Sequence, residues 1–234
     1  RYSFSNESSF FQKVKSFDFV LLFCILVIGI ISSFSMYSTD GGEILYHTKN
    51  HTYRFTIFFI MMIVISFLNI KFWHGTGYIF YIIVLALLFW ASYYGVTASG
   101  SQRWINLYFI NLQPSELMKI AIIIFYAKFY HRMQISNVNN FKNLLIPFAI
   151  LILPILLVAN QPDLGTAILI ALSGLVVLWL AGLHIRFFVY SSLAFLVSMP
   201  FIVSFLEPYQ KLRVLTFFNP ERDPLGAGYQ IIQS

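Results

Sequence analysis

The chain has 234 residues, 59% of them hydrophobic and 10% charged, with a formal net charge of +6. A soluble globule carries about a quarter charged residues, so that class is excluded. The basic residues are scattered between apolar runs and form no cluster, which argues against nucleic acid as a partner, and one cysteine excludes an internal disulfide or a cysteine-based zinc site.

Residues 1–16 are polar and read as a cytoplasmic N-terminal tail. Apolar runs follow at 17–37, 55–73, 77–93, 115–130, 143–160, 163–183 and 186–206. Each approaches the roughly 20 residues a helix needs to cross a bilayer. The predicted fold class is therefore all-α, a polytopic transmembrane helix bundle of about seven spans over 17–206, with 207–234 as a loop. The first run is too long for the core of a signal peptide, and Cys24 within it reads as a packing residue. Pro147 and Pro154 interrupt the fifth run, which a membrane helix tolerates when neighbours satisfy the freed backbone. A small excess of Lys and Arg on the N-terminal side puts that terminus inside. The stretches 38–54, 94–114 and everything after about 206 then face outward.

Few residues on this frame can carry chemistry. Glu116 and Lys119 are spaced i and i+3 at the start of the fourth span, so they share a helix face and read as an intramembrane ion pair. Such a pair either serves a cavity or holds the span against its neighbours. Asp163 opens the sixth span and has no cation next to it in sequence. Its partner would be tertiary, Arg103 or Lys119, unless it only complements the helix dipole. Arg103-Trp104 sits in a loop opened by Gly95, Gly100 and Ser101, where arginine suits a lipid phosphate or diphosphate and also suits plain interfacial anchoring. Gln113-Pro114-Ser115-Glu116 and Gln161-Pro162-Asp163-Leu164 echo each other, each opening an apolar helix, and helix capping alone accounts for the likeness. His47, His51, His74, His131 and His184 fall at span ends or in loops and read as interfacial, so no metal site is expected.

The blocks Gln102-Arg103-Trp104, Gln113-Pro114-Ser115-Glu116 with Lys119, Gln161-Pro162-Asp163-Leu164-Gly165-Thr166 and Arg213 through Ser234 strongly resemble the SEDS family (shape, elongation, division and sporulation proteins) of bacterial cell-wall polymerases, and its elongation branch most. The resemblance implies a multi-pass protein of the bacterial cytoplasmic (inner) membrane. It implies a peptidoglycan glycosyltransferase that polymerises lipid II and helps set rod shape, working with a class B penicillin-binding protein. It also implies no tightly bound cofactor, with a divalent cation, Mg or Mn, assisting. By resemblance Glu116, Lys119 and Asp163 are cavity residues, the first two a buried pair, while Arg103 and Arg213 are outward-facing arginines suited to the lipid diphosphate. Family members have about ten spans and an essential aspartate in the outer loop past the position of Ser234. The expectation is accordingly that 207–234 is the truncated start of that loop and that this chain does not polymerise on its own. A flippase for lipid-linked precursors and a non-catalytic scaffold for a penicillin-binding protein remain as alternatives.

Overall fold

In the computed structural model the described residues are 10–98, 101–107, 110–131, 133–161 and 163–205, with 211 and 216. The elements in chain order are α1 (Phe10–Lys15), α2 (Phe19–Thr39), α3 (Tyr46–Ser66), α4 (Ile70–Tyr94), β1 (Val96–Ala98), β2 (Ser101–Asn106), β3 (Asn111–Leu112), α5 (Pro114–Tyr130), α6 (Ile135–Val138), α7 (Phe141–Asn160), α8 (Leu164–Leu180) and α9 (Ile185–Phe205). All seven expected spans are present as helices of 17 to 25 residues. By length and composition, α2, α4 and the Lys142–Asn160 part of α7 are long and apolar enough to cross a membrane. The chain divides into two compact units, Arg1–Gly75 and Thr76–Ser234, with the division inside α4.

In the first unit α2 and α3 form an antiparallel pair. Asp18 caps α2 by accepting from the Leu21 N–H at 3.0 Å. Gly41 and Gly42, at φ of 78° and 86°, let the chain turn back. The pair is then stitched by hydroxyl and ring groups: Ser32 Oγ meets His51 Nε2, Thr52 Oγ1 donates to Ser33 Oγ, and the Asp40 carboxylate accepts from both the N–H and the hydroxyl of Thr48 at 2.7 Å each. Gly29 lies under the Phe55 ring, where a Cβ would overlap it. These bonds explain why α3 begins at Tyr46 and not near 55. Its polar first turns are answered by α2, a feature that no apolar run marks. Cys24, read as packing, instead stands on the exposed face of α2.

In the second unit α5 and α8 pack along each other and α7 packs on both. The buried face of α5 is Ser115, Met118, Ala121, Ile122, Phe125 and Tyr126, a helical stripe. Gly174 of α8 lets Leu151 and Tyr126 come so close that a Cβ there would overlap Leu151. Pro154 in α7 cannot donate to the carbonyl four residues back, that of Ile150. Tyr81 of α4 fills the vacancy, its hydroxyl donating to the Ile150 carbonyl at 2.8 Å, and the Tyr126 hydroxyl donates to the Pro147 carbonyl. At the far end of the unit the Asn139 amide donates to the Gly182 carbonyl and accepts from the His184 N–H, tying α6 to the α8–α9 turn.

The stretch 94–114, expected as loop, holds a three-stranded antiparallel sheet in the order β1-β2-β3. Val96 pairs with Trp104 and Ala98 with Ser101, while Ile105 pairs with Leu112 and Asn106 with Asn111. Gly95 has no room for a side chain between the Ala91 and Trp104 carbonyls, and Gln102 Nε2 donates to its carbonyl at 2.8 Å.

Two outcomes follow from these contacts. Tyr81→Phe orphans the Ile150 carbonyl and costs about 1–3 kcal/mol; in a Pro154→Ala background, where residue 154 regains its N–H, the cost shrinks, as a double-mutant cycle on unfolding in detergent will read. The Thr48 N–H, with its hydroxyl, holds the Asp40 carboxyl below the ordinary carboxylate range. The support it gives the α2–α3 turn is therefore complete above the ordinary carboxylate pKa and fades as pH falls through the lowered value. Amide exchange at Thr48 reports this loss, and Asp40→Asn removes its pH dependence.

Candidate functional site

The chemistry collects where α5 and α8 begin. Strand β3 ends at Leu112 and runs directly into Gln113, the N-cap of α5, with Pro114 at the first helical position. Proline suits that position because its missing N–H is an unbonded one in any case. The C-terminal end of α7 turns at Gln161, and Asp163 becomes the N-cap of α8, with Oδ1 accepting from the Thr166 N–H at 3.3 Å. The other carboxylate oxygen, Oδ2, takes the Arg103 Nη1 at 3.0 Å and the Gln113 Nε2 at 3.1 Å. Asp163 therefore joins β2, α5 and α8. Of the two cations left open by the sequence, Arg103 is its partner.

Lys119 instead pairs with Glu116, Nζ to Oε2 at 2.8 Å, as the i,i+3 spacing predicts. The burial implied for that pair is not found among the described residues: the Glu116 side chain is 56% exposed and that of Lys119 23%. The helix face explains it, since Ser115 and Met118 occupy the packed stripe and Glu116 lies beside it. The two cations are similarly enclosed, Arg103 at 25%, while the Asp163 carboxylate, at 12%, is far more enclosed than that of Glu116. Arg213 lies outside the described residues, as does the segment 217–234.

Sequence reasoning missed the glutamines and one serine. Gln113 is a ligand of Asp163, and Gln161, 5% exposed, donates to Ser92 Oγ and to the Leu88 carbonyl, fastening the end of α7 to α4. The two glutamines of the echoed motifs thus do different work, and the motifs touch each other through Gln113 and Asp163. Ser115 Oγ and Arg103 Nε are buried without a hydrogen-bond partner among the described residues. A Cβ on Gly165 would meet nothing within 4 Å, so the first turn of α8 is open on that side. The arrangement offers a cation, unspent N–H and O–H donors and the positive ends of two helices, which together suit an anion.

It does not suit a divalent metal. Such an ion needs several oxygen ligands, and among the described residues no three or more His, Cys, Asp or Glu side chains stand together. Both acids here are already paired with cations.

Residues 14–234 match the FtsW/RodA/SpoVE family, described as cell cycle protein. The chain is 36% identical over 230 residues to the peptidoglycan glycosyltransferase MrdB of Escherichia coli K12, a match covering 98% of this chain and 61% of that protein. It is 32% identical to a probable peptidoglycan glycosyltransferase FtsW of Buchnera aphidicola subsp. Baizongia pistaciae, over 94% of this chain and 60% of that protein. Among solved structures it resembles a chain of a peptidoglycan synthase complex studied for the coordination of polymerization and crosslinking, with TM-score 0.78, 26% identity and coverage of 93% of this chain and 64% of that one. The rod shape determining protein RodA of Thermus thermophilus, at 22% identity and TM-score 0.65 over 78% of this chain and 59% of that one, shows the same fold. The chain spans less than two thirds of the length of these relatives.

Because one carboxylate receives three donors, Asp163→Ala will cost about 2–3 kcal/mol of stability and Gln113→Ala about 1 kcal/mol. Thermal unfolding in detergent, followed by circular dichroism, measures both. Equal costs would contradict the shared-carboxylate geometry.

Proposed function

The chain belongs to the FtsW/RodA/SpoVE family of cell cycle proteins, and on that premise we propose that it acts in a peptidoglycan glycosyltransferase of cell elongation, one that polymerises lipid II in the bacterial cytoplasmic membrane. Its place as a multi-pass membrane protein agrees with its helices and its family. The names of its relatives support the reaction class. The observation that carries the reading is the joining of Arg103, Asp163 and Gln113 where two helices begin, a polar, ion-paired site at one end of an apolar bundle.

Glycan polymerisation joins the hydroxyl of an acceptor sugar to the anomeric carbon of a donor, and an undecaprenyl diphosphate leaves. Negative charge grows on the leaving oxygen, so donors already fixed at that point lower the barrier. Arg103 is suited to this task. Asp163, itself held by Gln113, fixes its Nη1, while Nε remains unspent. Lys119, held by Glu116 on the next turns of α5, supplies a second cation. Asp163 and Glu116 are each bound to a cation, so their role is positioning and charge balance; neither is placed as the base that takes the acceptor proton. A class B penicillin-binding protein as partner is part of the same proposal, supported by the likeness to a chain of a peptidoglycan synthase complex.

Lipid II polymerisation by the full-length protein with that partner tests the reading. Arg103→Gln and Lys119→Ala are each expected to lower the rate about a hundredfold to a thousandfold, the range for losing one donor at a developing charge. Polymer made at the wild-type rate by both variants would overturn the site, and lipid II moved across liposomes without glycan would favour a flippase.

A further inference from the structure

The α2–α3 pair carries a second polar concavity that the glycan-polymerising reading does not use. It has a volume of about 230 Å³ and is lined by Met36, Tyr46, His47, Asn50, His51 and Arg54. On α3 the spacing 47, 50, 51, 54 is i, i+3, i+4, i+7, one helix face. That face therefore presents two imidazoles, an amide and a guanidinium to a single hollow.

We propose that this hollow binds the phosphodiester headgroup of an anionic phospholipid. The level in the membrane fits, because α2 ends at Thr39 and the chain turns through the polar residues Asp40, Gly41, Gly42 and Glu43 before α3 begins. The first turns of α3 are thus at the interface, where Tyr46 and Tyr53 also sit naturally. The charge fits as well. Arg54 forms no ion pair among the described residues, since the pairs there are Arg103–Asp163 and Lys119–Glu116. Of the acids in the adjoining turn, Asp40 accepts from Thr48 and also interacts with His47, while Glu43 forms no ion pair among the described residues, which leaves Arg54 as the cation of the hollow without an acid. A guanidinium at that depth needs an anion or water, and its fork matches phosphate oxygens.

The neighbouring groups are also prepared for such a ligand. Ser32 of α2 occupies Nε2 of His51, which leaves Nδ1 as the remaining ring nitrogen. His47 stands edge-on to the Tyr46 ring, with centroids 5.5 Å apart. Asn50 adds an amide donor between them on the same face.

The test is native mass spectrometry of the full chain released from detergent, after incubation with phosphatidylglycerol, phosphatidylcholine, farnesyl diphosphate or inorganic phosphate. Phosphatidylglycerol is expected to be retained over phosphatidylcholine. Arg54→Gln should weaken that retention about tenfold, the loss of one charge-assisted contact, with Arg54→Lys intermediate. The double variant H47A/N50A, which keeps the arginine, should weaken it too, and circular dichroism on each variant confirms that the helices are intact. Retention of phosphatidylglycerol unchanged in both Arg54→Gln and H47A/N50A overturns the site. Displacement of the lipid by inorganic phosphate at equal concentration, or binding of farnesyl diphosphate without phosphatidylglycerol, overturns the assignment to a phospholipid.

Discussion

One carboxylate holds the functional end of this bundle together. Asp163 is the N-cap of α8, the acceptor of the Gln113 amide at the N-cap of α5, and the counter-ion of Arg103 on β2. Three separate stretches of chain are fixed by four atoms of side chain. Each contact is charge-assisted and mostly shielded from solvent, where such bonds are about twice as strong as neutral ones. Without the carboxylate, Arg103 would be a largely enclosed cation without its counter-ion, and the tie between β2 and α8 would be lost.

That clamp depends in turn on the path of α7, the helix that delivers Asp163. Two prolines interrupt α7, and in lipid an unmet carbonyl has no water to turn to. Tyr81, buried, donates to the Ile150 carbonyl that Pro154 leaves without its helical N–H, and Tyr126, also buried, donates to the Pro147 carbonyl, so α7 is tied to α4 and to α5 beside its prolines. Gln161 then anchors the end of the helix on α4. The sequence of dependence runs from tyrosine hydroxyls to the kinked helix, to the corner at Gln161, and finally to the orientation of Arg103.

The helices were legible because apolar runs of spanning length have few other meanings, and the Glu116–Lys119 pair because i,i+3 spacing places two side chains together without tertiary information. The openness of that pair was not legible; it turns on which stripe of α5 is packed, and Ser115 and Met118 win that stripe from residues of similar spacing. The sheet escaped notice because its strands have 3, 6 and 2 residues, too few to show an alternation. The start of α3 escaped for another reason. Its first turns are polar, and their partners, Ser32, Ser33 and Asp40, are on a different helix. Asp163 was visible as an acid in need of a cation, with the choice between Arg103 and Lys119 resting on a fold that only coordinates supply. The glutamines, bland in isolation, acquire meaning only from the acceptors they reach.

The proposed function comes down to one claim, that the polar, ion-paired end of the α5–α8 pair is where the diphosphate of a lipid-linked sugar is held. Photo-crosslinking states it most directly. Lipid II carrying a diazirine beside its diphosphate, irradiated with the full-length protein and mapped by peptide mass spectrometry, should leave adducts on the peptides that contain Arg103, Gln113 to Lys119 and Asp163. Adducts confined to the helices between Phe10 and Gly75, with those peptides unmarked, would contradict it.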